Sequence, residues 1–404
     1  MMIIMNKKSI ISILFAVSTT VSLWAQLFRP LGLGFDGGEW QGENSQPRMH
    51  IEDDSLYVCT NKGLYVKDLT NDDSVWQLVG FDGLPLQDFA RCGKDLMALR
   101  YNQGGEFLFL SHDGGQTYED VTPDVFCHEK YEIILNMVQH PIDPKILLVS
   151  TFYHGILRST DFGKTWEQLT GALYGNRIAS FIGFHPSRPT VIYNCGEDMI
   201  FAGHINISYD AGQTWNDHST SYSDEKGLGF LGDNCLHRPA FHPTNPDRWI
   251  VGGEGCVFLT DDNGKTWNCQ NYWHDESRSA YWYFSIFDIE HPDTVYMAGS
   301  LSGLKLMCSI DGGLSWYSSQ TMTLKKEKER VNDFQQYGDR LLIYTESDVY
   351  EVSKVELISK STNVNKTIFL GNEGKISTYD LQGRQTIEPK QGFMIKNGQK
   401  YFCF

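Results

Sequence analysis

This 404-residue chain is poor in three things: cysteines at metal-ligand spacing, positive charge and long apolar runs. No two of its nine cysteines stand as Cys-x-x-Cys, so zinc-knuckle and dithiol redox motifs are excluded and neither metal nor cofactor is expected. Nine is also odd, which leaves at least one thiol without an intramolecular partner. Cys256 and Cys269 flank one hairpin and are read either as a local disulfide or as two buried thiols. The 34 basic residues face 50 acidic ones, a formal charge of −16 without a basic stripe, and this disfavours a phosphate backbone as partner. Outside residues 9–23 nothing is long and apolar enough to cross a bilayer, so no transmembrane span is expected in the mature chain. The first residues read as an export signal: Lys7 and Lys8, an apolar stretch over 9–23, and Trp24-Ala25 as the cleavage site before Gln26. A secreted or cell-surface product is expected. No cysteine follows that would take a lipid anchor.

What the chain has in plenty is one repeated phrase. It reads Ser111-His-Asp-Gly-Gly-Gln-Thr-Tyr118, Ser159-Thr-Asp-Phe-Gly-Lys-Thr-Trp166, Ser208-Tyr-Asp-Ala-Gly-Gln-Thr-Trp215, Thr260-Asp-Asp-Asn-Gly-Lys-Thr-Trp267 and Ser309-Ile-Asp-Gly-Gly-Leu-Ser-Trp316. The starts are 48, 49, 52 and 49 residues apart, a period that fits one small sheet per repeat. Asp and Gly supply a tight turn, the hydroxyl bonds local backbone, and the aromatic opens the next strand.

The phrase resembles the Asp-box of sialidases, of the sortilin receptor family and of the xyloglucan-cleaving glycoside hydrolases. That resemblance implies a β-propeller with the boxes on its outer rim, away from the axial binding site. Asp113, Asp161, Asp210, Asp262 and Asp311 are then structural, and fold rather than chemistry is what the boxes specify.

The β-rich runs and turns count out seven units, beginning near Gln46, Leu86, Tyr131, Arg177, His237, Tyr281 and Val331. The seventh lacks a box and an outer strand. Phe28-Arg-Pro-Leu-Gly32 resembles the outer strands after the boxes and is left without a unit of its own. The expectation is therefore an all-β chain: a single seven-bladed β-propeller over residues 26–354, closed by its N-terminal strand in the last blade. A signal peptide (1–25) precedes it and a small C-terminal β segment (355–404) follows. His140-Pro141, His185-Pro186, His242-Pro243 and His291-Pro292 recur at one place per blade and read as strand-ending turns without a catalytic role. Ile376-Ser-Thr-Tyr-Asp-Leu-Gln-Gly-Arg384 and Gly392 to Lys400 resemble the Bacteroidetes sorting domain, which implies the type IX secretion machinery as a partner.

Ligands of propellers use the face formed by blade-to-blade connections and middle turns. Its richest stretch is Tyr272-Trp-His-Asp-Glu-Ser-Arg278, where rings can stack on sugars and charged groups bond hydroxyls. Tyr272, Trp273, Arg278, His237, Arg238, Glu129, Tyr153, His154 and Glu254 are candidate ligand contacts; Asp275, Glu276 and Asp233 are candidate catalytic carboxylates. Trp282 reads instead as packing between blades. Against the xyloglucan-cleaving enzymes, Leu56-Tyr-Val-Cys-Thr-Asn-Lys-Gly63 matches a first-blade motif, but Asn61 stands at their catalytic Asp and cannot act as a base. The second propeller those enzymes use is absent as well. Phe28-Arg29-Pro30 is similar to a sialidase N-terminal motif without its Ile. Two functions remain: a propeller that recognises a polysaccharide, glycoconjugate or protein on its loop face, or a glycoside hydrolase of xyloglucanase or sialidase type.

Overall fold

A computed structural model describes residues 28–34, 46–100, 105–124, 133–169, 177–198, 203–217, 235–272, 275, 279–301, 303–318 and 329–362. Beyond them it describes four short C-terminal strands. Seven four-stranded antiparallel sheets form the blades, as the repeat predicts. In the first, Met49–Glu52, Ser55–Thr60, Gly63–Asp68 and Gln77–Gly80 run from axis to rim. The inner strands of blades two to seven are Asp88–Cys92, Ile134–Gln139, Arg177–His185, Ala240–Phe241, Tyr281–Phe287 and Val331–Tyr337. A blade is sandwiched between two others, so its middle strands bury both faces, as Leu147–Thr151 does at every position. The rim strands Glu119–Asp120, Glu167–Gln168 and Asn216–Asp217 are two residues long, polar and exposed, which blunts them as edges.

The ring closes where expected. Arg29–Pro30 pairs antiparallel with Val349–Ser353, so the fourth strand of blade seven comes from the far end of the chain. Phe28 is buried in the cluster of blades six and seven with Tyr350 and Val352. The Arg29 guanidinium bonds Glu351 and reaches Asp72 of blade one at 3.0 Å, and Trp76 Nε1 donates to Leu31 O at 3.0 Å. Blade packing is close enough to need glycine: a Cβ on Gly252 would lie 1.7 Å from the Trp282 carbonyl oxygen of the next blade.

Each Asp-box builds the same knot. In the second, Ser159 Oγ donates to Asp161 Oδ1 (2.9 Å) and accepts Gly163 N (2.7 Å); Thr165 donates its N–H to Oδ1 (2.9 Å) and its hydroxyl to Oδ2 (2.6 Å). The fourth and fifth positions are both left-handed, with φ of 60° at Phe162 and 84° at Gly163. The bonds from Thr117 and Thr214 hold the Asp113 and Asp210 carboxyls down to about 2, so the knots stay ionised well into acid.

The structure decides one open alternative and corrects one expectation. Cys256 opposes Asn271 and Cys269 opposes Phe258, so these thiols miss facing each other by two residues and no disulfide joins them. All seven described cysteines are free. The segment after the last strand, expected to be β throughout, opens with a helix, α1 (Lys354–Thr362), which buries Leu357 and Ile358 against the closing blade. Ser353 Oγ accepts the Glu356 N–H at 3.4 Å, a hydroxyl capping the first turn. Farther on, Thr378–Tyr379 pairs with Gln385–Thr386 and Gly392–Lys396 with Gln399–Cys403 as two hairpins.

Phe28→Ala should destabilise the ring by roughly 3 kcal/mol, with faster amide exchange concentrated in Val349–Ser353; uniform exchange around the ring would contradict closure by this strand. Asp262→Ala removes the acceptor for Thr260, Lys265 and Thr266 and should cost about 1–3 kcal/mol in chemical denaturation, leaving any ligand affinity unchanged.

Candidate functional site

Because every inner strand leaves a blade-to-blade connection and ends at a tight turn, its first residues gather at the loop-face end of the axis. Among the described side chains, those of four blades carry charge there: Arg48 and His50, Asp88, Arg238 and Asp333. Arg238 Nη2 spans from blade five to Asp333 Oδ1 of blade seven at 2.9 Å. Asp333 also accepts the N–H groups of Met49 (3.0 Å, from blade one) and Phe334 (2.9 Å), so one buried carboxylate ties three blades. Burial pushes its carboxyl up, while the charge of Arg48 and the N–H of Met49 oppose that shift. His50 Nε2 lies 2.6 Å from Asp88 Oδ1. Desolvation works against the imidazolium, but the charge and hydrogen bond of Asp88 outweigh it and raise the His50 pKa. Arg48 itself is 3 % exposed, and its Nε has no hydrogen-bond partner.

Of the sequence-derived candidates, His237 is not open to a ligand on the loop face. It is fully buried, stacked on Tyr283 at 3.6 Å and tilted against Phe181 at 4.2 Å, with neither ring nitrogen hydrogen-bonded. Burial and then the nearby Arg48 charge drive its pKa well below the ordinary value, so it is neutral. Tyr272 is half-buried, its N–H bonded to Gly255 O (2.7 Å) and its hydroxyl to Gln270 (3.0 Å). Asp275 lies in a turn between Tyr272 and Ser279. Tyr153 is 37 % exposed beside Phe152, and the His154 backbone is tied to Thr151 and Gln168. Glu254 forms a bridge with Tyr281 at the blade five to six boundary. Trp282 is fully buried. Asp233, Glu276, Trp273, Arg278 and Glu129 lie outside the described residues. Asn61 is exposed at a middle turn of the loop face.

Between blades six and seven the loop face has a cleft of ≈ 150 Å³ lined by Gln46, Tyr281, Tyr283, Ser300, Glu329 and Arg330, among others. Tyr281 and Tyr283 lie parallel within it, 5.6 Å apart at 9°. Glu329 is buried and already accepts the hydroxyls of Thr345 and Ser347. Sequence reading missed Arg48, His50, Asp88, Asp333 and Glu329; a charged residue opening an otherwise apolar inner strand was the available signal. Among the described residues one group, Asp288, Glu290 and His291, brings ligand atoms within 4.8 Å of one another. Lys354 Nζ sits 3.0 Å from Asp288 and supplies the counter-charge there.

No family profile matches the chain. A sialidase of Clostridium perfringens is 26% identical over 171 residues, covering 39% of this chain and 44% of the relative. A probable oligoxyloglucan-reducing end-specific xyloglucanase of Neosartorya fischeri is 25% identical over 194 residues, covering 46% of this chain and 23% of the relative. The chain thus spans less than half the length of either curated relative. Among solved structures, the GH74 xyloglucanase from Xanthomonas campestris superposes with a TM-score of 0.55 at 16% identity, over 80% of this chain and 53% of that one. A YCF48 structure bound to D1 peptide gives 0.51 at 16% identity, over 79% and 99%. The chain is a sialidase-like Asp-box β-propeller with glycoside hydrolases among its sequence relatives.

Asp88→Asn should drop the His50 pKa to or below the ordinary ~6.5, because desolvation then acts with little opposition. Histidine titration by NMR reads this directly, and an unchanged His50 would mean that the pair does not exist.

Proposed function

We propose that this chain recognises a glycan on the loop-face end of its propeller without cleaving it. One observation carries the reading: the described carboxylates Asp88, Asp333 and Glu329 at that end already accept internal hydrogen bonds. Hydrolysis needs two carboxyl groups that face the substrate, one of them able to give up a proton. Carboxylates engaged by backbone and neighbouring side chains are less free to face a substrate, and Asn61 supplies no base. The cleft at Tyr281 and Tyr283 offers what binding needs instead, a ring edge for a pyranose face with Gln46 and Arg330 to bond hydroxyls. The export-like first residues and the Tyr379-Asp-Leu-Gln-Gly-Arg384 phrase support a secreted or surface-held product that uses a type IX route. The hydrolase reading is favoured by the names of the two curated relatives and keeps its place as the alternative.

The protein should be retarded in affinity gels by at least one plant or host polysaccharide and release no oligosaccharide from it. Tyr281→Ala should weaken that retardation about tenfold. Reducing-sugar release would establish the hydrolase instead, and absence of both retardation and release would point to a protein partner.

A further inference from the structure

Below the polar layer the axial channel widens into a cavity of ≈ 350 Å³ between blades four and seven. Its wall runs from Arg238 and Asp333 down to Pro186 and Phe287, the turn end of the inner strands, so it lies on the opposite side of the polar layer from the loop face. Aromatic rings dominate that wall, with Tyr193, Phe241, Tyr283 and Phe284 among them. The polar groups are few. Arg238 uses one nitrogen on Asp333, and among the described residues no acceptor is shown for its other donors. Ser285 Oγ, also in the wall, has no hydrogen-bond partner.

Charge around the cavity is only partly paired among the described residues. His50 and Asp88 form one pair and Arg238 with Asp333 another. Arg48 has no ion-pair partner among the described residues, although its guanidinium is buried and close enough to act electrostatically on Tyr193 and Asp333, both in the cavity wall. Two guanidiniums thus act on the one described carboxylate of the wall. An uncompensated buried cation is costly, and an anion brought within its field offsets that cost.

We propose that the axial cavity binds a ring-sized monocarboxylate, with its carboxylate on the spare donors of Arg238 in the field of Arg48 and its ring against Tyr283 and Phe241. A planar guanidinium suits a carboxylate, and aromatic walls suit either a sugar face or an aromatic ring. The ligand is thus a hexuronic acid or an aromatic acid, in a cavity that shares only Tyr283 with the lining of the loop-face cleft. Thermal shift and calorimetry on the whole protein with glucuronate and with benzoate, beside glucose and benzyl alcohol, test this. At least one acid should stabilise the protein at about 10 mM while its neutral counterpart does not, and the acid that does so names the source. Arg238→Gln should weaken binding at least tenfold. Ser285→Phe, which fills the cavity without altering charge, should abolish it even if the arginine variant folds poorly. Equal binding of the neutral compounds, binding that survives Ser285→Phe, or no response to either acid would overturn the proposal. Retardation by polysaccharide, measured on the same Ser285→Phe protein, reports on the loop face independently.

Discussion

The structure depends on one short antiparallel contact, Arg29–Pro30 against Val349–Ser353. Six blades supply their own four strands, and the seventh supplies three. Without a fourth strand the last sheet would present a row of unpaired backbone groups and blade one would have no neighbour held in register. The chain solves both problems with residues more than three hundred positions apart. Phe28 anchors the strand in the seam cluster, and Arg29 clasps Glu351 on one blade and Asp72 on the next. The helix α1 packs Leu357 and Ile358 into that same cluster, so both ends of the propeller are folded into its joint.

The rim and the axis are built from different physics. On the rim, hydrogen bonds within the phrase hold each of five carboxylates in the same knot, which is why the phrase tolerates Phe, Ala, Asn or Gly at its fourth position despite a positive φ there. At the axis nothing is local. Asp333 joins blades one, five and seven, and its partners lie far away in sequence. Removing one member of such a layer leaves others buried and unmatched, whereas a rim knot fails alone.

This division separates scaffold from recognition. The repeated elements hold the blades at fixed angles, and the residues that differ from blade to blade collect at the ends of the inner strands. Neutral, stacked His237 and buried Arg48 sit there beside carboxylates that already have partners.

The repeat period, the box chemistry and the orphan outer strand at Phe28 were legible from the sequence, because each rests on contacts within a few residues or on counting. The helix after Ser353 was not, since it is held by apolar contacts to a seam that exists only once the ring closes. Nor was the Cys256–Cys269 register, which depends on where the turn of one hairpin falls. His237 looked like a loop-face ligand contact because it follows a connection; the stacking of Tyr283 from the next blade buries it. Local pattern therefore determined the blades and their number. Only the closed ring decided which charges meet on the axis, because the distance between residues on different blades is set by the geometry of the circle and is written in no single segment of the chain.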